Sequence, residues 1–227
     1  MTKKIIFGVF AHPDDEAMGP AGALLTETRS GTELHLISAT SGDKGTNPDN
    51  LSNLGEVRES EWRNAGKLLG ATTMHLLGHK DGHLDNIAMQ RLTQEVIDIV
   101  QDVLSTQPAA TEIEFMTLDL NGYTGHIDHI VVARAVCLAF YTLKQQDSRF
   151  TRIRFACLPR SLYPEDSIDW IYMEAGHDEV DEIVDARNLA EDIKTIIKAH
   201  HSQRNDGTTT IHKQGSNLGL NYFLIKN

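Results

Sequence analysis

The chain has 227 residues, 40% of them apolar, and a formal net charge of −11. That length and apolar share suffice for one sizeable core, so a single domain over residues 1–227 is expected. The acidic balance, with a pI near 5.4, counts against nucleic acid, which needs a basic face, and against docking on anionic lipid.

The first segment, "MTKKIIFGVFA", carries two lysines before an apolar run. The run is short and leads straight into charge with no cleavage site, so it reads as a first strand rather than a signal peptide. No apolar run approaches the ~18 residues of a membrane span, and a cytoplasmic protein is expected. Its two cysteines, Cys137 and Cys157, lie in apolar surroundings. They read as buried thiols of a reducing compartment.

After the strand "KIIFGVFA", residues Pro20 to Ser30 read as a helix with proline in its first turn and Gly31 closing it. "ELHLISAT" alternates as a second strand. "SGDKGTNPDNLSNLG" is a polar loop. Glu56 to Leu69 is helical and ends at Gly70, and "TMHLLG" is a third strand. Asn86 to Ser105 carries apolar residues at helical spacing. "EIEFMTLD" is a fourth strand, Ile127 to Lys144 a helix, and "RIRFACLP" a fifth strand. Asp181 to His201 reads as a long helix, followed by a polar loop and "NYFLIKN".

This alternation predicts an α/β fold with a mostly parallel sheet. Ligand sites in such sheets lie at the carboxyl ends of the strands. There "HPDDE", "SGDKG", "GHKDGHLD" and "LNGYTGHIDH" follow the first four strands. The residues with the richest chemistry thus share one predicted edge.

His12 and Asp15 lie three apart where the first strand turns into a helix; His126 and His129 lie three apart at another helix start. Imidazole and carboxylate both suit Zn²⁺, and a catalytic zinc takes three protein ligands and leaves one position open. An acidic pair before a helix also serves as a cap and a match to the helix dipole. The shared edge favours metal. Arg58 on a helix is either ion-paired or ligand-binding, and Asp81 before Gly82 and Asp43 before Lys44 are either turn residues or ligand contacts. Glu16 suits a helix terminus or a backing role, and His200 a helix end or a backing role. His75, His79 and His83 read as loop histidines rather than ligands.

"AHPDDE" with the downstream "GHIDH" resembles the PIG-L/LmbE-like family of zinc-dependent N-deacetylases. "TSGDKG", "VRESEWRNAGKLLGA", "GHKDGHL" and "KAHHSQ" extend the resemblance from about residue 5 to 203. It implies a Rossmann-like three-layer sandwich with helices on both faces. It implies His12, Asp15 and His129 as ligands of one Zn²⁺ per chain, with Fe²⁺ suited to the same donors. It implies Asp14 as general base, His126 as oxyanion stabiliser and proton donor, and Asp128 as the group that orients His126. Arg58, Asp81 and Asp43 would bind the sugar. The implied reaction is hydrolysis of the acetamide of a small N-acetylglucosamine conjugate, by a homo-oligomer of trimeric or hexameric type. The pattern departs at Ile127, where the family often has proline, at Thr124, where it can have tyrosine, and at Asn221, where an acid is common.

Two other functions compete. One is a zinc-dependent hydratase of an unsaturated dicarboxylate on the same site. The other is a nucleotide-binding module, but no G-x-G-x-x-G or Walker loop follows any strand.

Overall fold

The computed structural model describes residues 3–106, 111–162 and 176–227. Among those residues seven strands form one sheet in the order β3-β2-β1-β4-β5-β7-β6. These are β1 (Lys3–Phe10), β2 (Glu33–Thr40), β3 (Ala71–His79), β4 (Thr111–Leu118), β5 (Phe150–Cys157), β6 (Glu182–Asp185) and β7 (Leu220–Lys226). The first five run parallel. β7 runs antiparallel to both β5 and β6.

Among the described residues the helices are α1 (Asp15–Met18), α2 (Ala21–Arg29), α3 (Leu54–Leu69), α4 (Asn86–Leu104), α5 (Ile127–Lys144), α6 (Ala190–Ala199) and α7 (Arg204–Gln214). They cover both faces. Ile5, Phe7 and Val9 pack under α4 and α5 with Leu92, Val96, Val136 and Phe140. Ile6 and Phe10 pack under α2, α3 and α6 with Leu24, Trp62, Leu69 and Ile193. A strand buried on both faces has no polar side, which is why β1 reads as an unbroken apolar run. The α/β architecture expected from the alternation is therefore present.

Two expectations fail toward the C-terminus. The long helix expected over 181–201 is split into β6 and α6. Glu182 to Asp185 instead take backbone partners in β7, with Val184 opposite Asn221. The polar loop expected after it contains α7, a helix whose one buried residue is Gly207. Both cysteines are free; Cys157 is buried and Cys137 half-buried. Burial pushes the Cys157 thiol up to about 12. Among the described residues no helix is long and apolar enough to cross a membrane.

Candidate metal centre and active site

β1 pairs with β2 on one side and β4 on the other. The connections from β1 and β4 thus meet at the point where strand order reverses, the place where open α/β sheets form a crevice. His12 follows β1 directly. Asp15 and Glu16 open α1. His126 caps α5, and Asp128 and His129 lie in its first turn.

His12, Asp15 and His129 converge. His12 Nδ1 is 3.0 Å from His129 Nε2, His129 Nε2 is 3.2 Å from Asp15 Oδ1, and His12 Nδ1 is 3.8 Å from Asp15 Oδ2. Donors ~2.1 Å from a tetrahedral zinc stand about 3.4 Å apart, so these separations suit one small cation. The outer nitrogens strengthen the case. His129 Nδ1 donates to the Gly122 carbonyl at 3.0 Å. His12 Nε2 faces Asp81 Oδ1 at 3.0 Å and Asp128 Oδ2 at 3.3 Å. With those nitrogens carrying the protons, Nδ1 of His12 and Nε2 of His129 turn two lone pairs toward one point. That 3.0 Å contact closes as a hydrogen bond when one nitrogen carries a proton, and around a small cation when neither does.

The electrostatics agree. Burial disfavours a charged His12, but Asp128, Asp81 and Asp15 outweigh it and lift its pKa to about 10. Burial also opposes ionisation of Asp15, yet His129, His12 and the backbone N–H of His12 hold its carboxyl well below the usual range. Asp15 Oδ2 accepts from the N–H groups of Ala11 and His12, at 3.1 and 2.9 Å. This acidic shell favours positive charge at its centre, carried by a proton on His12 or by a cation. Two further groupings of metal-capable atoms share His12, one with His126 and His129 and one with Asp81 and Asp128.

Asp128 was expected to orient His126, and the structure corrects that. Its carboxylate accepts from Gly82 N at 2.7 Å and Leu84 N at 3.1 Å and turns its Oδ2 to His12. Its link to His126 is the backbone: Asp128 N–H donates to His126 Nδ1 at 3.2 Å. An accepting Nδ1 leaves the proton on Nε2, so His126 is a neutral donor. Burial, His129 and His12 lower its pKa, which keeps it neutral.

Asp81 and Arg58, expected at the sugar, have protein partners in the structure. Both are buried, and their polar atoms are taken by protein except Arg58 Nε, which is buried without a partner. Asp81 Oδ1 holds His12, while its Oδ2 accepts from Lys44 N at 2.7 Å. Arg58 donates to the carbonyls of Gly42 and Pro13 and to Asp14 Oδ2, the last at 2.9 Å. The loop after β2 folds down on both, so neither guanidinium nor carboxylate faces solvent. Asp43 on that loop keeps a carboxylate 44% exposed.

Asp14 is a non-glycine residue at φ 116°, a left-handed conformation that costs about 1–3 kcal/mol and needs support. Its N–H donates to Glu16 Oε2 at 3.1 Å, and its carbonyl accepts from Ala17 N and Met18 N. Glu16 in turn meets His200. Burial raises the Asp14 carboxyl to about 6, with Arg58 opposing the rise. That value suits a proton acceptor near neutrality.

The segment "HHSQ" has a role that its sequence does not reveal. Ser202 N and Oγ donate to the two carboxylate oxygens of Glu61 on α3. Gln203 exchanges hydrogen bonds with Thr46 on the loop after β2. These contacts lock the loop that covers Arg58 and Asp81.

A family model described as "GlcNAc-PI de-N-acetylase" matches residues 7–140, more than half of the chain. The chain is 24% identical over 206 residues to a probable N-acetyl-α-D-glucosaminyl L-malate deacetylase of Bacillus subtilis, covering 88% of this chain and 84% of that one. It is 27% identical over 172 residues to a 1D-myo-inositol 2-acetamido-2-deoxy-α-D-glucopyranoside deacetylase of Salinispora arenicola, covering 68% and 56%. Its fold is similar to that of N,N'-diacetylchitobiose deacetylase from Pyrococcus horikoshii, with a TM-score of 0.67, 20% identity, and coverage of 98% and 83%.

Proposed function

The chain belongs to the GlcNAc-PI de-N-acetylase family, and from that premise we propose that it is a zinc-dependent hydrolase of the acetamide in N-acetylglucosamine conjugates. The observation that carries the reading is the convergence of His12 Nδ1, His129 Nε2 and Asp15 Oδ1, with 3.0 Å between the two nitrogens and 3.2 Å from His129 to Asp15. These three residues would hold the ion, which when bound supplies a Lewis acid that acidifies water and polarises a carbonyl.

The chain's own residues divide the remaining work. Asp14, held in place by Arg58 and Glu16, takes a proton from the attacking water. His126 donates its Nε2–H to the oxygen on which negative charge develops. A neutral imidazole has no proton to spare for the leaving amine, so Asp14 returns the one it took, and acetate and a free amine result. Asp81 and Asp128 keep His12 in the tautomer that presents Nδ1. Asp43 at the rim contacts the sugar.

Incubating the zinc-loaded chain with N-acetylglucosamine conjugates, and separately with an unsaturated dicarboxylate, tests the reading. Acetate release from the former is expected. Hydration of the dicarboxylate without acetate release would overturn it in favour of a hydratase. Fe²⁺ suits the same donors, so metal analysis of the purified protein accompanies the assay. A cytoplasmic homo-oligomer built from one catalytic domain over residues 1–227 belongs to the same proposal.

A further inference from the structure

His129 takes its orientation from the turn between β4 and α5, because its Nδ1 donates to the Gly122 carbonyl at 3.0 Å. That turn uses left-handed backbone at Gly122 (φ 83°), Tyr123 (φ 64°) and Gly125 (φ 82°). A non-glycine residue such as Tyr123 stays in that conformation only when its surroundings hold it there. The turn is also tightly seated. A Cβ on Gly122 would come within 2.7 Å of the His126 carbonyl oxygen, so the backbone lies directly against the start of α5. Tyr123 enters the cleft that Asp14, Asp15 and His129 line. One turn therefore registers a proposed metal ligand, the His126 backbone and a cleft wall.

What fixes the turn lies outside it. Gly122 N donates to the Asp119 carbonyl at 2.8 Å, and Asp119 itself is buried. A buried carboxylate is costly without a donor. Among the described residues the side chain that meets it is His177, whose Nε2 contacts Asp119 Oδ2. The carboxylate accepts, so His177 carries a proton on Nε2. His177 is stitched down on both sides. Its N–H donates to the Leu158 carbonyl at 3.1 Å, and its carbonyl accepts from Arg160 N at 2.8 Å. The imidazole is thus a strut from the chain beyond β5 to the root of the turn after β4. It stands outside the lining of the cleft, and no step of the reaction proposed above uses it.

We propose that His177 is a positioning residue for the metal centre: through Asp119 it holds the turn that aims His129 Nε2 at the ion and seats Tyr123 in the cleft. This role rests on the reading of His12, Asp15 and His129 as one metal site. Groups that orient a ligand directly typically control metal affinity by 10–100-fold. His177 acts one step further from the ion, so an effect of roughly tenfold, the low end of that range, is expected.

His177→Ala and the bulkier His177→Leu both remove the donor, whereas His177→Gln keeps an amide N–H for Asp119. Thermal melts report on folding, and the bulk kept by His177→Leu guards against collapse of the site. Two quantities are compared with wild type: hydrogen exchange of residues 119–125 in the metal-free proteins, and zinc affinity by competition with a chromophoric chelator. In His177→Ala and His177→Leu, exchange is expected to quicken in that segment while β1 and α4 keep wild-type protection. Zinc is expected to bind about tenfold more weakly in both, and His177→Gln to recover most of the two effects. Unchanged exchange, or faster exchange with wild-type zinc affinity, would overturn the proposal and leave the metal reading standing. Faster exchange across all strands, or defects that His177→Gln does not recover, would make His177 a general stabiliser and overturn it too. A wild type that binds no zinc refutes the metal reading instead, and the exchange comparison then still decides whether His177 holds the turn.

Discussion

Glu16 Oε1 lies 2.7 Å from His200 Nε2, and the two residues, 184 apart in the chain, are fully buried. The pair joins the catalytic turn to the end of α6. Glu16 uses its other oxygen on the Asp14 backbone N–H, so the contact also supports the left-handed turn at Asp14. Removing His200 strands a buried carboxylate. His200→Ala is therefore expected to cost about 3–5 kcal/mol of stability, the range for breaking one side of a buried pair. Urea denaturation measures it. A midpoint shift no larger than that of a surface substitution would show that the pair is not ionic or not closed.

Asp81 and Asp128 are placed here behind His12 and not against substrate. Groups that orient a metal ligand typically control affinity by 10–100-fold. Asp81→Asn and Asp128→Asn should each weaken zinc binding by about that factor, read by competition with a chromophoric chelator. A raised KM with unchanged zinc affinity would return them to the sugar.

Acid should unfold the protein partly through Glu27. Its carboxylate meets Lys4 at 2.9 Å and Arg154 at 2.7 Å. Burial pushes its pKa up, but Arg154 and Lys4 outweigh that and hold it below its ordinary value. A group whose folded pKa is depressed stabilises above its unfolded pKa and loses that contribution as pH falls through the folded value. Glu27→Gln should therefore lower Tm at neutral pH and flatten its decline toward acid. Thermal melts across that range check this, and a parallel acid limb would contradict it.

The first five strands and the site edge were legible because β1 and its neighbours are local apolar runs followed by polar turns. β6 was not, since Glu182 pairs with Phe223, about forty residues away, and no local periodicity records such a partner. α7 was hidden for another reason: "RNDGTTTIHKQ" has no apolar stripe to mark a helix. In the site, spacing brought out His12, Asp15, His126 and His129. It could not tell which atoms Asp81, Asp128 and Arg58 would face, because that depends on how the loop after β2 closes. The closure is fixed from residues 202 and 203, far along the chain.

In the proposed mechanism Asp14 moves the proton beside a metal held by His12, Asp15 and His129. The most direct test is acetate release from an N-acetylglucosamine conjugate by Asp14→Asn and wild-type protein carrying equal zinc. Loss of a general base predicts a rate lower by ~10²–10⁴-fold in the variant, with one zinc per chain retained in both. A variant that keeps its zinc and releases acetate at the wild-type rate would contradict the account.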